Sequence, residues 1–200
     1  MSPLRLSQRH CWIFDLDGTL TRPVHDFGYI RQELAIPSAD DILEHIDGLS
    51  GHEAAWRRTR LDEIERELAG RAEASEGAVD CIRRLRQSGR KLGILTRNSR
   101  EIALLTLAAI GLGDCFDASH VLGRDEAPPK PDPAGIIHLL NTWQARPDEA
   151  VMVGDYLFDL QAGRAAGTLT MQVGRPDGKR WPELADLAVK TLGEVTDYAG

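Results

Sequence analysis

The 200 residues include 31 acidic and 24 basic side chains, a formal charge of −7, and are enough chain for one domain carrying an insertion. No block of like charge suits a phosphate backbone, which argues against nucleic-acid binding. The longest apolar stretch, Ile102 to Leu112, is too short to cross a bilayer, and the opening MSPLRLSQRH lacks a signal-peptide core, so a cytoplasmic protein without membrane contact is expected.

In chain order, the first signal is CWIF, Cys11 to Phe14, a buried-strand pattern that stops at Asp15 and Asp17, two acids one residue apart. From Arg22 to Ala74 no convincing strand occurs. Phe27, Ile30 and Leu34 form one helical stripe, Ser38-x-x-Asp41 predicts the start of a second helix, and Ser50-x-x-Glu53 predicts a capping box for a long third helix. In that third helix Leu61, Ile64 and Leu68 face inward, and Asp62 and Arg66 can pair on the outer face.

Strand and helix then alternate. Glu76 to Ser88 is helical and closed by Gly89; KLGIL runs into Thr96; Asn98-x-x-Glu101 predicts a capped helix to Ile110. SHVL near Ser119 is a weak strand, and Asp132 with Pro133 predicts a helix start. AVMV before Gly154 and LTMQV before Gly174 complete the strands. The expected fold class is α/β, a parallel sheet with a helical insertion after the first strand. Cys11, Cys81 and Cys115 are odd in number and lack CxxC spacing, so they read as small buried hydrophobes.

Ligands of open α/β sheets bind beyond the carboxyl ends of the strands. Asp15, Asp17, Thr96 and Asp155 all stand at such ends, with Asp159 following in GDYLFDL. Converging carboxylates repel one another unless a cation neutralises them, and hard oxygen ligands select Mg²⁺. Lys130, one of four lysines against twenty arginines and set among four prolines, is the fixed positive charge expected beside them.

DLDGT, Thr96 after a strand, Lys130 in KPDP and GDYLFD resemble, in order, the four motifs of the haloacid dehalogenase-like (HAD) superfamily, over Trp12 to about Val173. The resemblance implies a Rossmann-like core at 1–21 and 75–200, and a small helical cap at 22–74 similar to the phosphoglycolate-phosphatase branch. It implies a Mg²⁺-dependent phosphomonoester hydrolase acting on a small phosphorylated metabolite. Asp15 would be the nucleophile that forms a phosphoaspartate, and Asp17 the acid and then the base. Thr96 and Lys130 would hold the phosphoryl oxygens. The metal would be held by Asp15, the Asp17 backbone carbonyl and Asp155, while Asp159 would orient a bound water or pair with Lys130. The C-terminal ELADLAVKTLGEVTDYAG resembles the family's last edge strand and helix.

One departure concerns the second motif, where many members place Asn after the Ser or Thr and this chain has Arg97, a candidate for binding the phosphate or another substrate anion. Arg22 and His25 at the cap entrance and Arg57 on the long helix are candidates for substrate specificity. A sugar-phosphate mutase keeps both aspartates and is the alternative within the superfamily. A non-catalytic binding protein retaining the fold is the alternative outside enzymes, although such a chain should have lost one of Asp15, Asp17, Lys130 or Asp155. No feature fixes an oligomeric state.

Overall fold

The computed structural model describes residues 6–23 and 27–197; His25 and the side chain of Phe27 lie outside what it describes. Six parallel strands, β1 (Cys11–Phe14), β2 (Lys91–Leu95), β3 (Val121–Leu122), β4 (Ala150–Gly154), β5 (Leu169–Val173) and β6 (Leu187–Val189), form one sheet in the order β3-β2-β1-β4-β5-β6. The chain steps outward from β1 in one direction through β2 and β3, then restarts on the other side at β4. The switch point of the sheet therefore lies between β1 and β4, where a crevice opens at the strand ends.

Strand residues alternate between two apolar layers, because successive side chains point to opposite faces. Trp12 and Phe14 pack with Ile94, Val151 and Val153 against α4 (Ala78–Gln87) and α5 (Arg100–Ala109). Cys11, Ile13, Leu95 and Met152 pack against α6 (Ala134–Trp143) and α7 (Leu157–Ala166). Covered on both faces, the central strands β1 and β4 read as continuous apolar runs rather than alternating ones. All three cysteines are free and buried, and among the described residues no helix is long and apolar enough to cross a membrane.

Between β1 and α4 lie three helices, α1 (Phe27–Glu33), α2 (Ile42–Asp47) and α3 (Gly51–Ala69), with a small core of their own made by Ile30, Leu34, Ile36, Ile46, Leu61 and Ile64. The outgoing and returning chain meet where Thr21 bridges Ala74 and the Arg22 N–H donates to the Glu73 carbonyl at 2.9 Å.

Several helix starts differ from expectation. Asp41, not Ser38, caps α2, accepting the Leu43 and Glu44 N–H groups. Ser50 stands before α3 without a side-chain cap bond, and Glu53 pairs with Arg57 at 2.7 Å, so the expected capping box is not formed. Ser99 caps α5 because the Asn98 side chain is used elsewhere. Asp62 and Arg66 do not pair with each other in the expected way: α3 packs against the core, so Asp62 meets Arg124 at 2.5 Å and Arg66 meets Glu101 at 2.7 Å.

Candidate active site

Register brings the functional positions to one level. Phe14 lies beside Ile94 in β2 and Val153 in β4, so Asp15, Thr96 and Asp155 leave the sheet within a residue of one another. All three are buried, as are Lys130 and Asp159. The Asp15 N–H donates to the Val153 carbonyl at 2.9 Å, which continues the ladder and fixes the side chain at the crevice. Gly18 then turns the chain at φ +85°, and a Cβ there would stand 2.8 Å from Asp155 Oδ2, so the turn needs glycine twice over.

Lys130 Nζ lies 2.5 Å from Asp15 Oδ1 and 2.6 Å from Asp159 Oδ1. Thr19 Oγ1 lies 3.3 Å from both Asp15 Oδ2 and Asp155 Oδ1 and donates its one proton to either of those carboxylates. Asp159 also accepts the Tyr156 N–H at 3.0 Å, so one side chain serves both the start of α7 and the lysine. Oxygens of Asp15, Asp155 and Asp159 come within 4.8 Å of one another. This hard, all-carboxylate donor set fits a divalent cation such as Mg²⁺. The carboxylate of Asp17 is outside that trio and instead accepts the Asn98 Nδ2–H at 2.8 Å.

The electrostatics follow from crowding acids out of water. Burial, with the charges of Asp15 and Asp159 beside it, pushes Asp155 up to about 7. Burial and Asp15 push Asp17 up to about 7 against the opposing pull of Lys130 and Asn98. Asp159 rises to about 6, chiefly from burial, despite its lysine. Burial alone would lower Lys130, but Asp15 and Asp159 outweigh it and hold the ammonium above its ordinary value.

A cavity of about 660 Å³ stands over these groups, lined on its far side by Ile30, Arg31, Leu43, Leu61 and Glu65 of α1, α2 and α3. Thr96 lines it, with its hydroxyl oxygen accepting the Asn98 N–H at 3.1 Å. Arg97 lines it too and reaches across to Asp41. Arg22 and Arg57 are placed elsewhere. Arg22 is exposed and pairs with Glu73 at 3.0 Å. Arg57 is buried inside the helical segment, donating to the Leu34 carbonyl at 2.8 Å, and is not among the residues that line the cavity.

Four contributors were missed in the sequence. Thr19 was legible inside DLDGT as a hydroxyl beside two acids. Asn98 stands one place beyond the expected position and still reaches Asp17. Arg175, whose Nη1 lies 2.6 Å from Asp155 Oδ2, follows the fifth strand and carries no local signal. Asp41 read only as part of a helix start.

A family model for haloacid dehalogenase-like hydrolases matches residues 11–167. The chain belongs to that family. As a member of it, the protein is a hydrolase. A phosphoglycolate phosphatase from Chromobacterium violaceum is 30% identical over 92% of this chain and 93% of its own. The pyrophosphatase PpaX of Halalkalibacterium halodurans is 35% identical over 81% and 82%. Among solved structures, a hydrolase from Pseudomonas syringae superposes with a TM-score of 0.78 at 21% identity, covering 94% of this chain and 97% of its own, which speaks for the shared fold.

Proposed function

We propose that the protein is a Mg²⁺-dependent phosphomonoester hydrolase that works through a phosphoaspartate on Asp15, acts on a small phosphorylated metabolite, and uses residues 22–74 as a cap over the site. The observation that carries this reading is the buried contact of Lys130 with Asp15, beneath a cavity and two residues from a second acid pushed up to about 7. The volume of about 660 Å³ suits a small ligand, and the relatives named for phosphoglycolate and pyrophosphate hydrolysis support phosphoryl chemistry. Three free, buried cysteines fit a reducing, cytoplasmic setting.

In the first step an Asp15 carboxylate oxygen attacks phosphorus while the bond from phosphorus to the leaving oxygen breaks. Asp17 in its acid form, held by Asn98, delivers the proton to that oxygen. In the second step the Asp17 carboxylate takes a proton from water, the water oxygen attacks the same phosphorus, and the Asp15 oxygen leaves. Lys130 and the Thr96 hydroxyl donate to the phosphoryl oxygens as their charge develops. A divalent cation held by Asp15 and Asp155, with Asp159 nearby, would supply further neutralisation of those oxygens.

The test is phosphate release from a panel of phosphorylated metabolites and pyrophosphate with Mg²⁺, with the Asp15→Asn variant alongside. Release by wild type and none by a folded Asp15→Asn variant is expected, with phosphate recovered on the Asp15 peptide after acid quenching. Wild-type turnover by Asp15→Asn would remove Asp15 as nucleophile.

A further inference from the structure

We propose that Arg97 selects substrates whose leaving group carries its own anionic oxygens, and that Asp41 holds the arginine's place until such a group displaces it. The proposal rests on the phosphomonoesterase reading above and assigns the specificity of that same site.

Among the described residues, four cationic side chains line the cavity: Arg31, Arg97, Lys130 and Arg175. Lys130 is taken by Asp15 and Asp159. The fork of Arg175 is filled by Asp155 at Nη1 and by both oxygens of Asp177 at Nε and Nη2. Arg31 donates from Nε to the Asp40 carbonyl at 3.1 Å. Arg97 differs from these. Its Nη2 meets both oxygens of Asp41, at 3.0 and 2.9 Å, while its Nε is buried with no acceptor among the described residues.

A guanidinium offers a planar set of donors that matches two coplanar oxygens, and a buried donor without an acceptor is costly. Once the side chain turns from Asp41 and uncovers Nε, a carboxylate or a second phosphoryl group bound across Nε and Nη2 would satisfy both nitrogens at once. Arg97 is placed for a leaving group rather than for the transferred phosphoryl. Its backbone follows Thr96 at the strand end, but its side chain leaves the floor of carboxylates, stacks 5.7 Å from the Phe158 ring and reaches the N-cap of α2.

Asp41 can release it. Its Oδ1 also accepts the Leu43 and Glu44 N–H groups, so the carboxylate keeps partners when the arginine turns away. Both members of the pair are about one-third exposed, at 31% and 30%, and so within reach of a solute entering the cavity. Burial would raise Asp41, but the Glu44 N–H and Arg97 keep its carboxyl below the ordinary range, so it stands as a charged stand-in for a substrate anion.

The experiment compares kcat/KM for 2-phosphoglycolate and pyrophosphate with that for glycerol phosphate, whose leaving group is neutral. In Arg97→Gln the ratio of anionic to neutral substrate should fall about 10-fold or more, chiefly through KM. In Asp41→Asn, which keeps a capping oxygen, the ratio should rise. A fall confined to 2-phosphoglycolate identifies a carboxylate as the group read, and one confined to pyrophosphate a second phosphoryl. Equal losses on all three compounds in Arg97→Gln would overturn the proposal. Calorimetric binding of the same compounds to Asp15→Asn, with and without Arg97→Gln, separates the two readings. If wild type turned over none of them, the hydrolase mechanism would fall. The Arg97 proposal would then stand only if preferential binding of the anionic compounds disappeared with the arginine.

Discussion

Lys130 Nζ lies 2.5 Å from Asp15 Oδ1, with only 3% of the lysine side chain exposed, and the same nitrogen reaches Asp159. One ammonium therefore offsets the charge of two buried carboxylates. Lys130→Met should cost about 10²–10³ in kcat/KM, as for loss of an oxyanion donor, and about 3 kcal/mol in stability, because two buried charges lose their partner. Urea unfolding at pH 5 and pH 8 checks the second figure. The loss should be smaller at pH 5, where Asp159, raised to about 6, takes up a proton. An unchanged rate would place Lys130 outside the reaction.

Asp17 separates the chemistry of the first step from that of the scaffold. Its carboxyl rises to about 7 and receives the Asn98 amide, so it carries a proton to give near neutral pH. Asp17→Asn should lower kcat/KM by about 10²–10⁴ on an alkyl phosphate, the usual range for general acid catalysis. The loss should be markedly smaller on p-nitrophenyl phosphate, whose leaving oxygen needs no proton. Equal losses on both substrates would mean that Asp17 does not protonate the leaving group.

The raised acids also make a prediction about stability. Asp17, Asp155 and Asp159 have folded values of about 7, 7 and 6, above about 4 in an unfolded chain. The folded state thus binds more protons across that window. The stability these groups contribute is present below about pH 4 and is lost as pH rises through 6 and 7. A divalent cation bound to Asp15, Asp155 and Asp159 would reverse that loss. The rise in Tm given by Mg²⁺ should therefore be small at pH 5 and larger at pH 8, as read by thermal unfolding with Mg²⁺ and with EDTA. A pH-independent shift, or none, would take the ion away from these carboxylates.

What the sequence made legible follows from how locally each feature is determined. Strands β1 and β4, and β2 after Lys91, stood out as apolar runs because helices cover both faces of the sheet there, while β5 alternates apolar residues with the buried Thr170 and Gln172; Asp15, Thr96 and Asp155 were marked by the ends of β1, β2 and β4. Capping was less legible. Asn98 and Ser99 both suit a helix start, and only the tertiary contact with Asp17 decides that Ser99 takes it. Arg57 and Arg97 show the same limit, since nothing in the residues beside either arginine says where its side chain goes. Whether one turns into the helical core and the other lines the cavity depends on packing between segments distant in sequence. β3 was faint because it has two residues, Val121 and Leu122.

Gly154 tests whether the backbone of β4 holds Asp159 in place. A Cβ at this last residue of the strand would lie 2.3 Å from Cβ, Cγ and Oδ2 of Asp159. Asp159 has no room to yield, being 2% exposed and held by the Tyr156 N–H at one oxygen and by Lys130 at the other. Gly154→Ala should therefore shift the first turn of α7, lower stability by about 1–3 kcal/mol, and lower kcat/KM by up to about 10²-fold through misplacement of Asp159 and its lysine. Gly89→Ala is the control: at φ +75° with nothing within 4 Å of its Cβ, it should cost about 1–2 kcal/mol from its left-handed backbone and leave kcat/KM unchanged. Urea midpoints and kcat/KM measured on both variants separate strain at the site from strain in the chain. Wild-type activity in Gly154→Ala would show that Asp159 is positioned by α7 and Lys130 without help from the strand.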